Sequence, residues 1–195
     1  IYEPSDAVEE NVTATPFVAP VPVVSQFLDL PLLTGEETPN APHVGATARP
    51  WPGSAAVYSS SADSGYEMNT LLASWATIGT TQTLLEAADP AMWDRGPVLR
   101  VKLVRGTLSS VSEEDVLNGA NAAAIGDGSS SNWEVFQFVN ATLVAPRTYD
   151  LSLRLRGQAG TDGLGASWPI GSRFVLINSA LRQIDIAQSA RGLAR

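Results

Sequence analysis

Cysteine is absent from this chain of 195 residues, and histidine and lysine occur once each, as His43 and Lys102. Without cysteine there is no disulfide framework, no thiolate nucleophile and no cysteine-ligated metal. A Ser-His-Asp hydrolase needs an imidazole beside its hydroxyl. The only candidate, His43, sits in the loop-like stretch Pro39-Asn-Ala-Pro-His and reads as structural or solvated. No apolar run approaches the roughly 20 residues of a membrane helix, and no basic-then-apolar leader is present. The chain opens at Ile1 rather than at Met, so it is read as a processed product or a piece of a longer chain. No internal repeat of regular period is visible.

Charge is also scarce: 16% of residues are Asp, Glu, Lys or Arg, with a net charge of −8. A surface covered by partners and a lightly charged monomer both fit that composition. Residues 1–100 hold 12 acidic and 3 basic side chains, and residues 101–195 hold 8 and 9. An acidic first half argues against a phosphate-backbone binder, which needs clustered Lys and Arg. The bias to arginine over lysine reads as base composition rather than as an anion site. The sequons at Asn11 and Asn140 match the glycan acceptor pattern, although the second lies inside a strand-like run.

What is present points to β structure. Nine of thirteen prolines fall within the first 52 residues, so Thr15–Pro22 is extended or edge-like chain. Val23–Leu30 alternates as a half-buried strand, and Thr34–Pro52 reads as a turn-rich loop, either draped over a partner or a solvated connector. Further strands are expected over Ala55–Ser60, twice within Glu67–Glu86, and over Gly96–Arg105, Ala122–Ile125, Trp133–Val144 and Tyr149–Leu155. Phe174–Asn178 and Leu181–Ala187 look like a closing pair around Asn178-Ser179. One short helix is expected where Ser112 caps Glu113-Glu114-Asp115-Val116-Leu117. The fold class is therefore mainly all-β, a sandwich or barrel with long Pro/Gly-rich loops and one or two short helices. Residues 1–52 are expected to form a Pro-rich arm with one strand, and residues 53–195 a β-rich domain.

Within Trp133–Leu143, Trp133, Val135, Gln137, Val139, Ala141 and Leu143 share one face, and Phe136 and Phe138 lie on the other. Large apolar groups on both faces indicate a strand buried twice, or one whose second face meets another domain or subunit. In the next strand Tyr149, Leu151, Leu153 and Leu155 alternate with Asp150, Ser152, Arg154 and Arg156, which predicts a basic face turned outward. Phe136, Phe138, Arg154 and Arg156 are accordingly the candidate subunit-interface residues.

No motif completes a reaction centre. Glycoside hydrolysis needs two carboxylates across a cleft. Glu36/Glu37 reads as a solvated loop, Glu113/Glu114/Asp115 as a helix N-terminal cluster, and nothing marks the pair Asp94 and Glu134. The loop Asp127-Gly-Ser-Ser-Ser-Asn132 lacks the spaced acids of a calcium site and reads as a hairpin connection. Gly157–Gly165 is Gly-rich but has no Gly-Lys-Ser/Thr, so it is not a P-loop. No cofactor and no metal are expected. Among the five tryptophans, Trp51 and Trp168, each beside a proline in loop-like chain, are candidate glycan-stacking platforms. Trp75, Trp93 and Trp133 look like core.

Five segments then carry a resemblance when taken in order: Phe27-Leu-Asp-Leu-Pro-Leu-Leu, Ala48-Arg-Pro-Trp-Pro-Gly, Leu117-Asn-Gly-Ala-Asn, Trp133-Glu-Val-Phe-Gln-Phe and Leu155-Arg-Gly-Gln-Ala-Gly-Thr-Asp. Together they resemble the C-terminal region of the megatron, the baseplate or host-specificity tail protein of gene transfer agents and related siphophages. The resemblance covers most of Tyr2–Arg195. It implies a homotrimeric tail-tip assembly in a virion-like particle, made in the bacterial cytoplasm. Other copies, hub and distal tail proteins would be its partners, and DNA would pass without specific binding. The family's glycosidase and tail-hub domains precede this region, so their chemistry does not transfer to it. The expected function is structural and non-enzymatic, with recognition of host-surface polysaccharide by Trp51 or Trp168 as the alternative. An acid-lined lumen would repel the phosphates of the passing genome.

Overall fold

A computed structural model describes residues 21–39, 41–90, 92–164 and 167–186. Most of Thr15–Pro22 and the Asn11 sequon lie outside the described residues. In chain order the strands are β1 (Val24–Leu28), β2 (His43–Thr47), β3 (Ala55–Ser59), β4 (Glu67–Leu72), β5 (Ile78–Thr81), β6 (Trp93–Asp94) and β7 (Leu99–Leu103). After the short helix α1 (Glu113–Leu117) come β8 (Ala122–Gly126), β9 (Trp133–Ala145), β10 (Thr148–Gln158), β11 (Arg173–Leu176) and β12 (Arg182–Gln183). The mainly-β expectation holds, and of the two architectures the protein adopts the barrel.

Strands β10, β7, β5, β11, β8 and β9 pair in that order, and β9 pairs back onto β10 to close a six-stranded antiparallel barrel. Strand β6 takes over the edge of β10 where β7 ends. Even an eight-stranded barrel is only wide enough for its side chains to fill. Here Leu99, Val101, Ile125, Phe136, Phe138, Leu151 and Phe174 do so, together with Trp168. These buried side chains fill the interior as a core. Close approach of strands sets one residue outright: a Cβ on Gly79 would lie 2.5 Å from the Lys102 carbonyl oxygen across β5 and β7.

The outer surface of the barrel is covered on two sides. Leu28, Leu30 and Leu181 pack over Ile78, Ala124, Trp133 and Val175. Val116 of α1 packs on Val139 and Leu155. Strand β9 is consequently buried on both faces from Trp133 to Val139, and both covers come from this chain itself. The helix is the expected one. Ser112 Oγ accepts the Asp115 amide at 3.0 Å, and the Asp115 carboxylate accepts the Ser112 amide at 3.1 Å.

Three expectations are corrected. The stretch Thr34–Pro52 contains β2, and residues 24–47 therefore hold two strands, which pair with each other. All five residues of β2 are buried, so the half-exposed alternation that marks a strand in sequence is missing. Phe174–Asn178 and Leu181–Ala187 do not form a hairpin, because β11 pairs with β5 and β8 while β12 pairs with β2. The outward basic face of β10 is also overturned. Leu153 has φ +54, a left-handed conformation that interrupts the alternation of the strand. Beyond it, Arg154 sits opposite Phe138, and both arginines turn into the protein.

Candidate functional site

Arg156 and Glu134 are both fully buried. The guanidinium grips the carboxylate with two parallel bonds, Nε to Oε1 at 2.6 Å and Nη2 to Oε2 at 2.8 Å. The Trp168 indole N–H donates to Oε2 at 2.6 Å, the Gly157 amide donates to Oε1 at 3.1 Å, and Arg156 Nη1 donates to the Glu86 carbonyl at 2.6 Å. This bidentate geometry, with its remaining lone pairs occupied, is what a buried ion pair requires. Beside it Arg154 holds Asp94 at 2.7 Å and donates to the Leu151 carbonyl at 2.8 Å. Arg154 and Arg156 therefore lock the barrel and are not presented to a partner. Phe136 and Phe138 are likewise fully buried, and the Phe136 ring meets Phe174 edge-on at 6.2 Å.

The tryptophans redistribute as well. Trp168 is buried, because its backbone bridges to Leu85 in both directions and its indole serves Glu134. Trp51 is half-buried against the cluster of Val44, Ala46 and Leu72. Its Nε1 is buried without a partner. Trp168 thus offers no free ring face of the kind a sugar stacks on, while Trp51 keeps part of its surface open. Trp133 is core, whereas Trp93 is half-buried and lines a cleft. Sequence pattern alone places Trp93 in the core.

The loop Gly157–Asp162 forms a ridge between two clefts, and Gln158 and Ala159 line both. One cleft, of about 630 Å³, lies between the β1–β2–β12 sheet and the barrel and has His43, Glu37 and Gln137 in its wall. The other, of about 740 Å³, lies where β6, α1 and β10 meet and contains Trp93 and Asp162. Gly157 at φ +61 makes the ridge possible, since a Cβ there would lie 2.8 Å from the Asp162 Cα and 3.2 Å from the Pro90 Cβ. The Asp127 loop is a hairpin connection, as expected. Hydrogen bonds from Asn132 and Ser129 hold its carboxylate down to about 2. Among the described residues no three His, Cys, Asp or Glu side chains group to hold a metal, and no helix is long and apolar enough to cross a membrane.

Burial holds the His43 imidazole below its usual range, with the Glu37 carboxylate opposing the shift. The unfolded chain therefore binds this proton more readily than the folded one, so stability falls as pH drops below the unfolded value of about 6.5. Carboxylates with lowered values lose their contribution as pH falls through and below their unfolded values, 3.8 for Asp127 and 4.5 for Glu37. Between pH 7 and pH 5 the single histidine is thus the main titrating side chain. The unfolding temperature is expected to fall over that interval, and His43→Gln is expected to flatten the dependence. An unchanged slope in the variant would place the titrating group elsewhere.

Comparison with curated proteins finds no match. Residues 76–175 match the family described as Rcc01698-like, C-terminal. The match opens two residues before β5 and closes within β11, so it takes in every strand of the closed barrel. Because it spans just over half of the chain, this protein belongs to the Rcc01698-like, C-terminal family.

Proposed function

We propose that this chain is a structural, non-enzymatic component of the tail tip of a phage-like particle, where it helps to build the hub around the DNA path and contributes to host attachment. The observation that carries the reading is the coincidence of the family match with the closed barrel. The ordered motifs support it, since they resemble the baseplate megatron of gene transfer agents and siphophages. Two of them, Trp133-Glu-Val-Phe-Gln-Phe and Leu155-Arg-Gly-Gln-Ala-Gly-Thr-Asp, supply both members of the buried ion pair and the ridge between the clefts. A rigid, self-contained barrel suits a scaffold whose work is assembly.

The partners in this reading are further copies of the chain in a trimer, together with hub and distal tail proteins. The barrel interior is filled, so the DNA path runs outside it, between copies. There the acidic first half would repel phosphate and let DNA slide. Gold-labelled antibody against this chain is expected to mark the tail tip of purified particles, distal to the capsid. Label confined to the capsid or spread along the tail tube overturns the proposal. A second reading, recognition of host-surface glycan, is favoured by the Trp93 cleft rather than by Trp51 or Trp168.

A further inference from the structure

We propose that the cleft between β6, α1 and the Gly157–Asp162 ridge binds a neutral carbohydrate, with Trp93 as the stacking surface and Asp162 and Gln158 as acceptors for its hydroxyl groups. This deepens the host-attachment part of the proposed function and rests on that part, while its chemistry comes from the cleft.

Trp93 pairs with Leu155 across β6 and β10 and packs on the cluster of Val116, Val139 and Leu155. The ring is anchored on that side, and its remaining surface opens into a concavity of about 740 Å³. A sugar needs such a platform for its C–H face, with a few polar groups at the edge for its hydroxyls. The edge is supplied by Asp162 and Gln158. Gln158 donates its amide nitrogen to the Arg156 carbonyl at 2.9 Å. Its side-chain oxygen, the Asp162 carboxylate and the Trp93 indole N–H make no hydrogen bond among the described residues. Gly157 is the residue that lets Asp162 close this tightly against the ridge.

Among the described residues no Lys, Arg or His lines the cleft. A phosphate, uronate or sialate would find no cation among them, so the fitting ligand is neutral. A hydrocarbon side chain from a protein partner would cover the ring and leave the acceptors without partners. A hexose matches both kinds of surface.

The test is titration of the 195-residue chain with neutral di- and trisaccharides of gluco, galacto, manno and N-acetylglucosamine configuration. Saturation-transfer NMR and tryptophan fluorescence report binding up to about 10 mM, which covers the weak range expected of one stacking site. At least one sugar is expected to bind and to perturb the fluorescence. Trp93→Leu and Asp162→Ala are each expected to weaken it about tenfold or more. Asp162 is exposed, so its variant should keep the parent's unfolding temperature and separate binding from folding. The proposal is overturned by no binding across the panel, by binding that survives both substitutions, or by a peptide that competes for the cleft where no sugar does. Tail-tip label without sugar binding removes this inference alone, and sugar binding without tail-tip label removes the tail-tip assignment alone.

Discussion

Glu134→Ala is expected to lower the unfolding free energy by about 3–5 kcal/mol, a large part of the 5–15 kcal/mol that holds a typical domain together. The loss is large because the substitution strands a charge. Arg156 is fully buried in the barrel, where water cannot replace the carboxylate, and the Trp168 and Gly157 N–H groups lose their acceptor at the same time. Arg156→Met should cost a similar amount for the mirror-image reason. The double change Glu134→Leu/Arg156→Met removes both charges at nearly constant volume. It should recover most of the loss, since buried ion pairs owe little net stability to their Coulomb attraction. Urea unfolding with an unchanged m-value reads all three. If the double variant is as unstable as the singles, the hydrogen bonds to Trp168 and Glu86 outweigh the stranded charge. The pair Arg100 with Asp150 gives the contrast. Its geometry is as short, 2.7 Å, but the arginine side chain is 42% exposed. Asp150→Asn should therefore cost no more than about 1 kcal/mol.

This network also shows where sequence reading reached its limit. The alternation of β10 marks a strand and holds up to Ser152. A single left-handed residue, Leu153 at φ +54, reversed the meaning of everything after it. Leucine gives no warning of such a conformation, whereas a glycine would have. For β9 the opposite held. Its apolar groups on both faces already implied double burial, and the fold supplied the covers from β1, Leu181 and α1. The Ser112 cap was legible because its chemistry is local, within three residues. The bridge between Leu85 and Trp168, and the pairing of β2 with β12, join positions far apart in the chain. No periodicity records such contacts. The cleft at Trp93 escaped for the same reason, since Trp93, Leu117 and Asp162 meet only once the barrel closes.

Phe136→Ala and Phe138→Ala are each expected to cost about 3–5 kcal/mol, the usual range for removing a buried aromatic ring and leaving its cavity. This prediction separates two roles the sequence left open for these residues. Were they subunit contacts, truncation would leave the isolated chain stable and reduce only its self-association. The barrel assigns them to the interior, where neither ring reaches solvent and Phe136 lies 6.4 Å from Phe138 and 6.2 Å from Phe174. A six-stranded barrel gives its neighbours little room to collapse into the void, because the strands on every side are tied to one another. Leu143 is the internal control. It lies on the same strand but 60% exposed, so Leu143→Ala should change stability by no more than about 0.5 kcal/mol. Urea midpoints and sedimentation of the same three variants decide the matter. A loss of stability confined to the two phenylalanines, with the sedimenting mass unchanged, places them in the core. Intact stability with a smaller sedimenting mass would return them to an interface between copies.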